Sequence, residues 1–130
     1  MKGSYVLLIR IDKDSSIDIG KIGKIDFKKG VYVYVGSAMN NIKHRIERPL
    51  KKEKKLHWHI DYLLEKSRIV NTYYRESNIR EECKIANVLN QHLSFIPNFG
   101  CSDCSCKSHL FYGDINIILT LISNIGMIDF

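Results

Sequence analysis

The sequence predicts an α+β fold: a small central antiparallel β-sheet, about three core strands with short extra strands, flanked by three or more helices. Three observations predict it. Residues 3–36 read as strands separated by short turns, a helical apolar period begins at Ile42 and returns twice, and between the helical stretches 68–76 reads again as a strand. A chain of 130 residues suits one domain with one core, and 45% hydrophobic with 26% charged residues is ordinary for a globular protein.

In chain order, GSYVLLIRI (3–11) is rich in branched and aromatic residues and reads as a strand. KDSS (13–16) is a turn, and IDIGKIGKIDF (17–27) alternates but is broken by Gly20 and Gly23, as one bent strand or two short ones. KKG turns the chain into a strand over 31–36, a close neighbour of 3–11 in an antiparallel meander. There Val31, Val33 and Val35 face one way and Tyr32 and Tyr34 the other. A helix follows over Ile42–Arg48, with Ile42, Ile46 and Leu50 inward and Asn41, Arg45, Arg48 and Lys52 opposite; Pro49 ends or kinks it. KKEKK (51–55) is a basic loop, HWHIDYLLEKS (57–67) a second helix and RIVNTYYRE (68–76) a strand. NIREECKIANVLNQHL (78–93) is the longest helix, with Asn78 as N-cap and Glu81 three residues on. IPNFGCSDCSCKS (96–108) is a loop and HLFYG (109–113) a short strand.

Residues 1–113 form the domain proper, and 114–130 an apolar tail that fits a buried helix or strand. The stretch Ile115–Ile128 carries no charge, yet its 14 residues are too few for a bilayer span of ~20. It either completes the core or buries itself against a second copy in a homodimer. The opening MKGSYVLLIRIDKD has charges at Arg10 and Asp12 and no small-residue cleavage site, so a cytoplasmic chain with reduced thiols and no membrane partner is expected.

Net charge is +6, and the excess is one-sided: residues 1–65 carry 14 Lys and Arg against 8 Asp and Glu, while 66–130 carry six of each. Such a balance suits a polyanion, of which nucleic acid is the usual one, or a merely solvated lysine-rich surface. Two phenols on one strand face are ordinarily packing aromatics. Here Tyr34 is followed by Gly36 and Ser37, where a ligand could approach the backbone, and then by Arg45 and Arg48, whose planar forks suit phosphate oxygens. Tyr5, on the neighbouring strand, adds a further phenol. The run KHRIERPLKKEKK, with Arg48, Lys51, Lys52, Lys54 and Lys55, would track a phosphate backbone without reading bases.

Gly3-Ser4-Tyr5 and Tyr34-Val35-Gly36, with Arg45 downstream, resemble the namesake tripeptides and the arginine of the GIY-YIG nuclease superfamily. KKGVYVYVGSA, KKLHWHIDYLL, Glu82-Cys83 and FGCSDCSCKSHLF resemble a largely archaeal branch, sometimes fused to an endonuclease III-type repair enzyme. The resemblance covers about residues 3–112. It implies a three-stranded antiparallel sheet flanked by helices, one divalent cation (Mg²⁺ or Mn²⁺) on a glutamate of the long helix, and hydrolysis of a phosphodiester, most readily in DNA. Tyr5 and Tyr34 would help activate or orient the attacking water, and Arg45 would hold the scissile phosphate.

For the glutamate, Glu82 lies beside the face made by Ile79, Ile85 and Ala86, whereas Glu81 turns to water, so Glu82 is preferred. The superfamily often has a histidine four residues after the arginine; Pro49 stands there, with His57 or His59 as substitute. The alternative is a nucleic-acid-binding module of this fold that no longer cleaves. Cys101, Cys104, Cys106 and His109 read C-x2-C-x-C-x2-H, a set that suits tetrahedral zinc, although the same cysteines could be packing residues or a redox pair. A zinc- or redox-responsive module is therefore a third reading, and Cys83 is expected in the core.

Overall fold

A computed structural model describes residues 2–39, 42–47, 58–100 and 106–130, the side chain of His44 excepted. Along the chain run β1 (Gly3–Ile11), β2 (Ser15–Asp18), a 3-10 turn (Gly20–Ile22), β3 (Lys24–Phe27), β4 (Gly30–Ala38) and α1 (Ile42–Glu47). Then come α2 (His59–Leu64), β5 (Arg68–Glu76), α3 (Glu82–Asn90), β6 (Ser94–Phe95), β7 (Leu110–Tyr112), α4 (Ile115–Ile125) and β8 (Ile128–Asp129). The expected α+β class is borne out. A six-stranded antiparallel sheet has the order β6-β7-β4-β1-β5-β8, and β2 and β3 pair as a separate hairpin. The three long strands are central and the short ones lie outside them.

Strand periodicity splits the apolar residues into two cores. On the front face, Tyr5, Leu7, Ile9 and Ile11 of β1 join Tyr32 and Tyr34 of β4 under the hairpin, α1, α2 and Phe99. On the back face, Val6 and Leu8 join Val33 and Val35 under α3 (Ile85, Ala86, Leu89) and α4 (Ile118, Leu121, Ile122). The sheet is thus buried on both sides. The tyrosine–valine alternation falls as the sequence predicts.

Several boundaries differ. Residues 17–27 take the two-strand form of the expectation, broken by the 3-10 turn, but the first strand begins at Ser15, inside the expected turn, and β4 continues beyond Gly36 to take in Ser37 and Ala38. The long helix starts at Glu82, not Asn78. Ser77 Oγ takes the Ile79 N–H at 3.2 Å, residues 78–81 form no helical turn, and Ile79 is 68% exposed. Asn78 therefore caps nothing. Among described residues the second helix starts at His59, where Asp61 Oδ2 accepts the Trp58 N–H at 2.8 Å. β6 was not expected; it pairs with β7 at the sheet edge.

The tail resolves into a helix and a strand. Asp114 Oδ1 accepts the N–H groups of Asn116 and Ile117, capping α4. One stripe of α4 enters the back core while Ile117 and Leu119 stay exposed, and β8 pairs with β5. Residues 114–130 thus complete the back core. Among the described residues no helix is long and apolar enough to cross a membrane.

Candidate active site

β7 pairs with β4 only from Tyr32 to Tyr34, and the last link on that side is Val35 N–H to His109 C=O at 3.0 Å. Beyond it the β4 edge at Gly36–Ala38 has no β7 partner. Through this gap the first residue of α3, behind the sheet, reaches the phenols in front of it. Glu82 Oε1 accepts a hydrogen bond from Ser37 Oγ at 3.0 Å. A cleft of about 650 Å³ opens there, lined by Tyr5, Tyr34, Gly36, Ser37, Arg45, Trp58, His59 and Glu82, with Lys21 and Arg80 in its wall.

Each group is held by a different element. Tyr5 and Tyr34 come from adjacent strands, their ring centroids 6.4 Å apart. Arg45, on α1, donates from Nη1 to the Ser37 carbonyl at 3.3 Å and lies 4.4 Å from the Trp58 ring centroid, a cation–π stack. Its charge also acts on the Tyr5 hydroxyl, drawing that phenol's pKa down. His59, at the start of α2, accepts the Gly100 N–H at Nδ1 (2.8 Å). Gly100 has φ +74, a left-handed conformation that aims this N–H across the cleft end. Because Nδ1 accepts, the neutral imidazole carries its proton on Nε2.

The charge states follow from these contacts. Burial pushes the Tyr5 hydroxyl up to about 12, against the opposing pull of Arg45. Burial raises Tyr34 well above the ordinary phenol value, and the Tyr5 hydroxyl and Glu82 add to the rise. Burial lowers His59 below the ordinary histidine value. Glu82 is held below the ordinary carboxylate value, chiefly by the hydrogen bond from His109 and also by Ser37 and Arg80; its own burial opposes them. At neutral pH the cleft holds protonated phenols, a neutral imidazole, a guanidinium and one carboxylate.

Tyr5, Tyr34, Arg45, Glu82, His59, Gly36 and Ser37 are brought together as expected, with three corrections. Gly36 does not leave room for a ligand: a Cβ there would stand 2.5 Å from Tyr5 Oη, so that phenol takes the space. Glu82 does not reach the site from a stripe with Ile79; it opens its helix, and Ile79 is in solvent. Tyr32 is outside the cleft and donates its hydroxyl to Lys28 C=O at 2.8 Å. His57, Arg48, Lys51, Lys52, Lys54, Lys55, Cys101 and Cys104 lie outside the described residues. The sequence reading missed Lys21, Arg80 and the Arg45–Trp58 stack, which joins two distant segments with no spacing rule between them.

A second cluster adjoins the first. The ligand atoms of Cys83, Cys106 and His109 lie within 4.8 Å of one another and could hold a metal ion. Cys83, expected in the core, stands beside His109, its Sγ 4.0 Å from Nε2. The other ring nitrogen, Nδ1, faces Glu82 Oε2 at 3.4 Å.

A family model described as "Domain of unknown function DUF123" matches residues 4–126. It therefore runs through α4, beyond the segment on which the nuclease resemblance was seen. No curated protein and no solved structure matches the chain.

Proposed function

We propose that this chain, which belongs to the DUF123 family, is a divalent-metal-dependent endonuclease that hydrolyses DNA phosphodiester bonds, with DNA structure rather than base sequence guiding it. The observation that carries the proposal is the meeting of Tyr5, Tyr34, Arg45 and Glu82, from four elements, in one cleft. The resemblance to GIY-YIG nucleases supports it on separate grounds, and a repair setting is part of what that resemblance suggests.

The hydrogen-bonding inventory favours an anionic substrate. Two phenol O–H groups, the Nε2–H of His59 and the Arg45 guanidinium are donors, with Lys21 and Arg80 as further cations. Among the side chains of the lining residues the one charged acceptor is Glu82. A phosphodiester supplies the oxygens these donors need, and attack on it adds charge that preplaced donors offset. Arg45 is fixed by Ser37 and Trp58, so little reorganisation is required of it.

The phenols serve as donors rather than bases. With Tyr5 at about 12, ionising it at neutral pH costs about 7 kcal/mol. General-base assistance returns about 3–5 kcal/mol, so the deprotonated route loses. Tyr5 and Tyr34 then hold phosphate oxygens or orient water, and His59 Nε2–H, which stays on its ring, can donate a hydrogen bond to a phosphate or leaving oxygen.

Glu82 fits a hard cation. It is ionised, partly exposed and in the cleft, and Mg²⁺ is commonly held by one or two carboxylates with substrate phosphate and water completing its shell. Arg80 stands 3.5 Å from Oε1, but its side chain is 67% exposed and such a pair is worth at most about 1 kcal/mol, so it can swing aside. When bound, Mg²⁺ or Mn²⁺ would supply an activated water and offset phosphoryl charge. Zn²⁺ would instead suit the thiolates and imidazole of the second cluster.

The test is nicking of flap, branched and plain duplex DNA with Mg²⁺ or Mn²⁺. Cleavage that needs the metal and is lost in Arg45→Ala and Glu82→Ala is expected; intact DNA throughout, or unaffected variants, refutes the proposal. A non-cleaving DNA-binding module is the second reading, favoured by Pro49 at the histidine position and by phenols that stay protonated. It requires salt-sensitive binding with no product band.

A further inference from the structure

We infer that Cys83, Cys106 and His109 form a zinc site distinct from the hard-cation position, and that His109 is the link by which this site positions Glu82. The metal site stands independently of nuclease activity; its link to the cleft rests on the proposed role of Glu82.

The donor set is the first argument. Two thiols and an imidazole converge from α3 and from the segment leading into β7. Thiolate and imidazole select zinc over magnesium, manganese or calcium, which take oxygen ligands. With Zn–S near ~2.3 Å and Zn–N near ~2.0 Å in a tetrahedron, ligand atoms stand roughly 3.5–3.8 Å apart. The Cys83 Sγ to His109 Nε2 distance of 4.0 Å needs an inward shift of only a few tenths of an ångström. Three protein donors leave the fourth position to water or another donor. Cys101 and Cys104 fall outside the described residues, and the three donors make the site without them.

The second argument is the outer partner. A metal-bound histidine typically donates its other ring N–H to a carboxylate or carbonyl, which fixes the tautomer and ring plane. His109 has that arrangement: Nε2 faces the thiol while Nδ1 faces Glu82 Oε2 at 3.4 Å. The ring is rigidly placed. His109 N–H donates to Phe99 C=O at 2.8 Å, Val35 N–H donates to His109 C=O at 3.0 Å, and the residue is 2% exposed. A proton on Nδ1 is what Glu82 needs as donor, and a metal on Nε2 keeps it there. The other carboxylate oxygen is held by Ser37, so both ends of Glu82 are fixed in the cleft.

The experiment is titration of the metal-free full chain with Co²⁺, followed by displacement with Zn²⁺. One equivalent giving the strong thiolate-to-cobalt absorption in the near ultraviolet, bleached by Zn²⁺, is expected. Cys83→Ala and Cys106→Ala should each abolish or greatly weaken that band, while Glu82→Gln keeps it but lowers Co²⁺ affinity about ten- to a hundredfold. Circular dichroism checks that each variant is folded; should an alanine variant unfold, the corresponding serine variant replaces it. No thiolate band in the wild type, or a Cys83 variant that binds like wild type, overturns the site. Unchanged affinity in Glu82→Gln overturns the link alone. Failure of DNA cleavage with the cobalt results intact counts against the endonuclease, not against this site.

Discussion

The hydroxyl of Tyr5 occupies the space in which a side chain at Gly36 would begin. A Cβ on residue 36 would stand 2.5 Å from Oη and 2.6 Å from Cζ. The two residues are direct partners in the β1–β4 register, so the contact is fixed by the backbone. The glycine that ends one tripeptide and the tyrosine that ends the other are one packing unit. Their joint effect is to hold a buried phenol beside Arg45.

Gly36→Ala is therefore expected to destabilise the fold by about 1–3 kcal/mol, the range for overpacking a tight core. Tyr5→Ala, which empties a large buried side chain, should cost about 3–5 kcal/mol. Because the second change removes what the first collides with, the double variant should cost clearly less than the sum, with a coupling of at least about 1 kcal/mol. Urea unfolding of the four proteins measures it. Simple additivity would show that the two residues do not meet.

His59 is expected to titrate below its ordinary 6.5 with its neutral proton on Nε2, because Nδ1 accepts the Gly100 N–H. The unfolded chain then takes up this proton first as pH falls. The stability contributed by the neutral ring is complete above about 6.5 and lost as pH drops through the lower, folded value. His59→Asn keeps an acceptor near the Nδ1 position, whereas His59→Ala leaves the Gly100 N–H without one and should cost about 1 kcal/mol more. Nitrogen chemical shifts of the ring against pH, with unfolding curves of both variants, test this. A proton found on Nδ1 contradicts it.

Glu82 has the same sign, in a more acidic range. Its folded value lies below 4.5, so its contribution is complete above 4.5 and lost as pH falls through the folded value. Ser37→Ala removes one of the donors responsible. The carboxyl group should then titrate closer to 4.5, with a stability loss at neutral pH of about 1 kcal/mol, small because the carboxylate is partly exposed. Carbon shifts of the labelled Glu82 carboxyl report the titration. An unmoved value in Ser37→Ala would remove Ser37 from the site.

What the sequence disclosed was periodic. Alternation in VYVYV assigned the tyrosines and valines to opposite faces, and the 42–46 spacing found the inward isoleucines of α1. Spacing fails where the chain leaves a regular element. The start of α3 slipped by four residues because Ser77 satisfies the Ile79 N–H locally and nothing in NIREE marks that choice. β6 is two residues long and exists only through its pairing with β7. Cys83 reads as a core residue because it lies inside the long helix. Its approach to Cys106 and His109 depends on α3 and β7 meeting at the sheet gap, which no local pattern records.

The two buried phenols give the last expectation. If they act as hydrogen-bond donors, the rate of DNA cleavage at saturating Mg²⁺ should show no phenolic inflection between about pH 7 and 10, because Tyr5 stands at about 12 and Tyr34 is raised well above 10.0. Tyr5→Phe should lower kcat about a hundredfold or more, the usual loss when a donor to developing charge is removed, without reshaping the pH profile. The fold should survive, since the ring still fills the space over Gly36. An alkaline limb present in the wild type and absent in Tyr5→Phe would mean that the bound cation and Arg45 together overcome the burial penalty. The phenol would then be the base after all, and the donor assignment would fail.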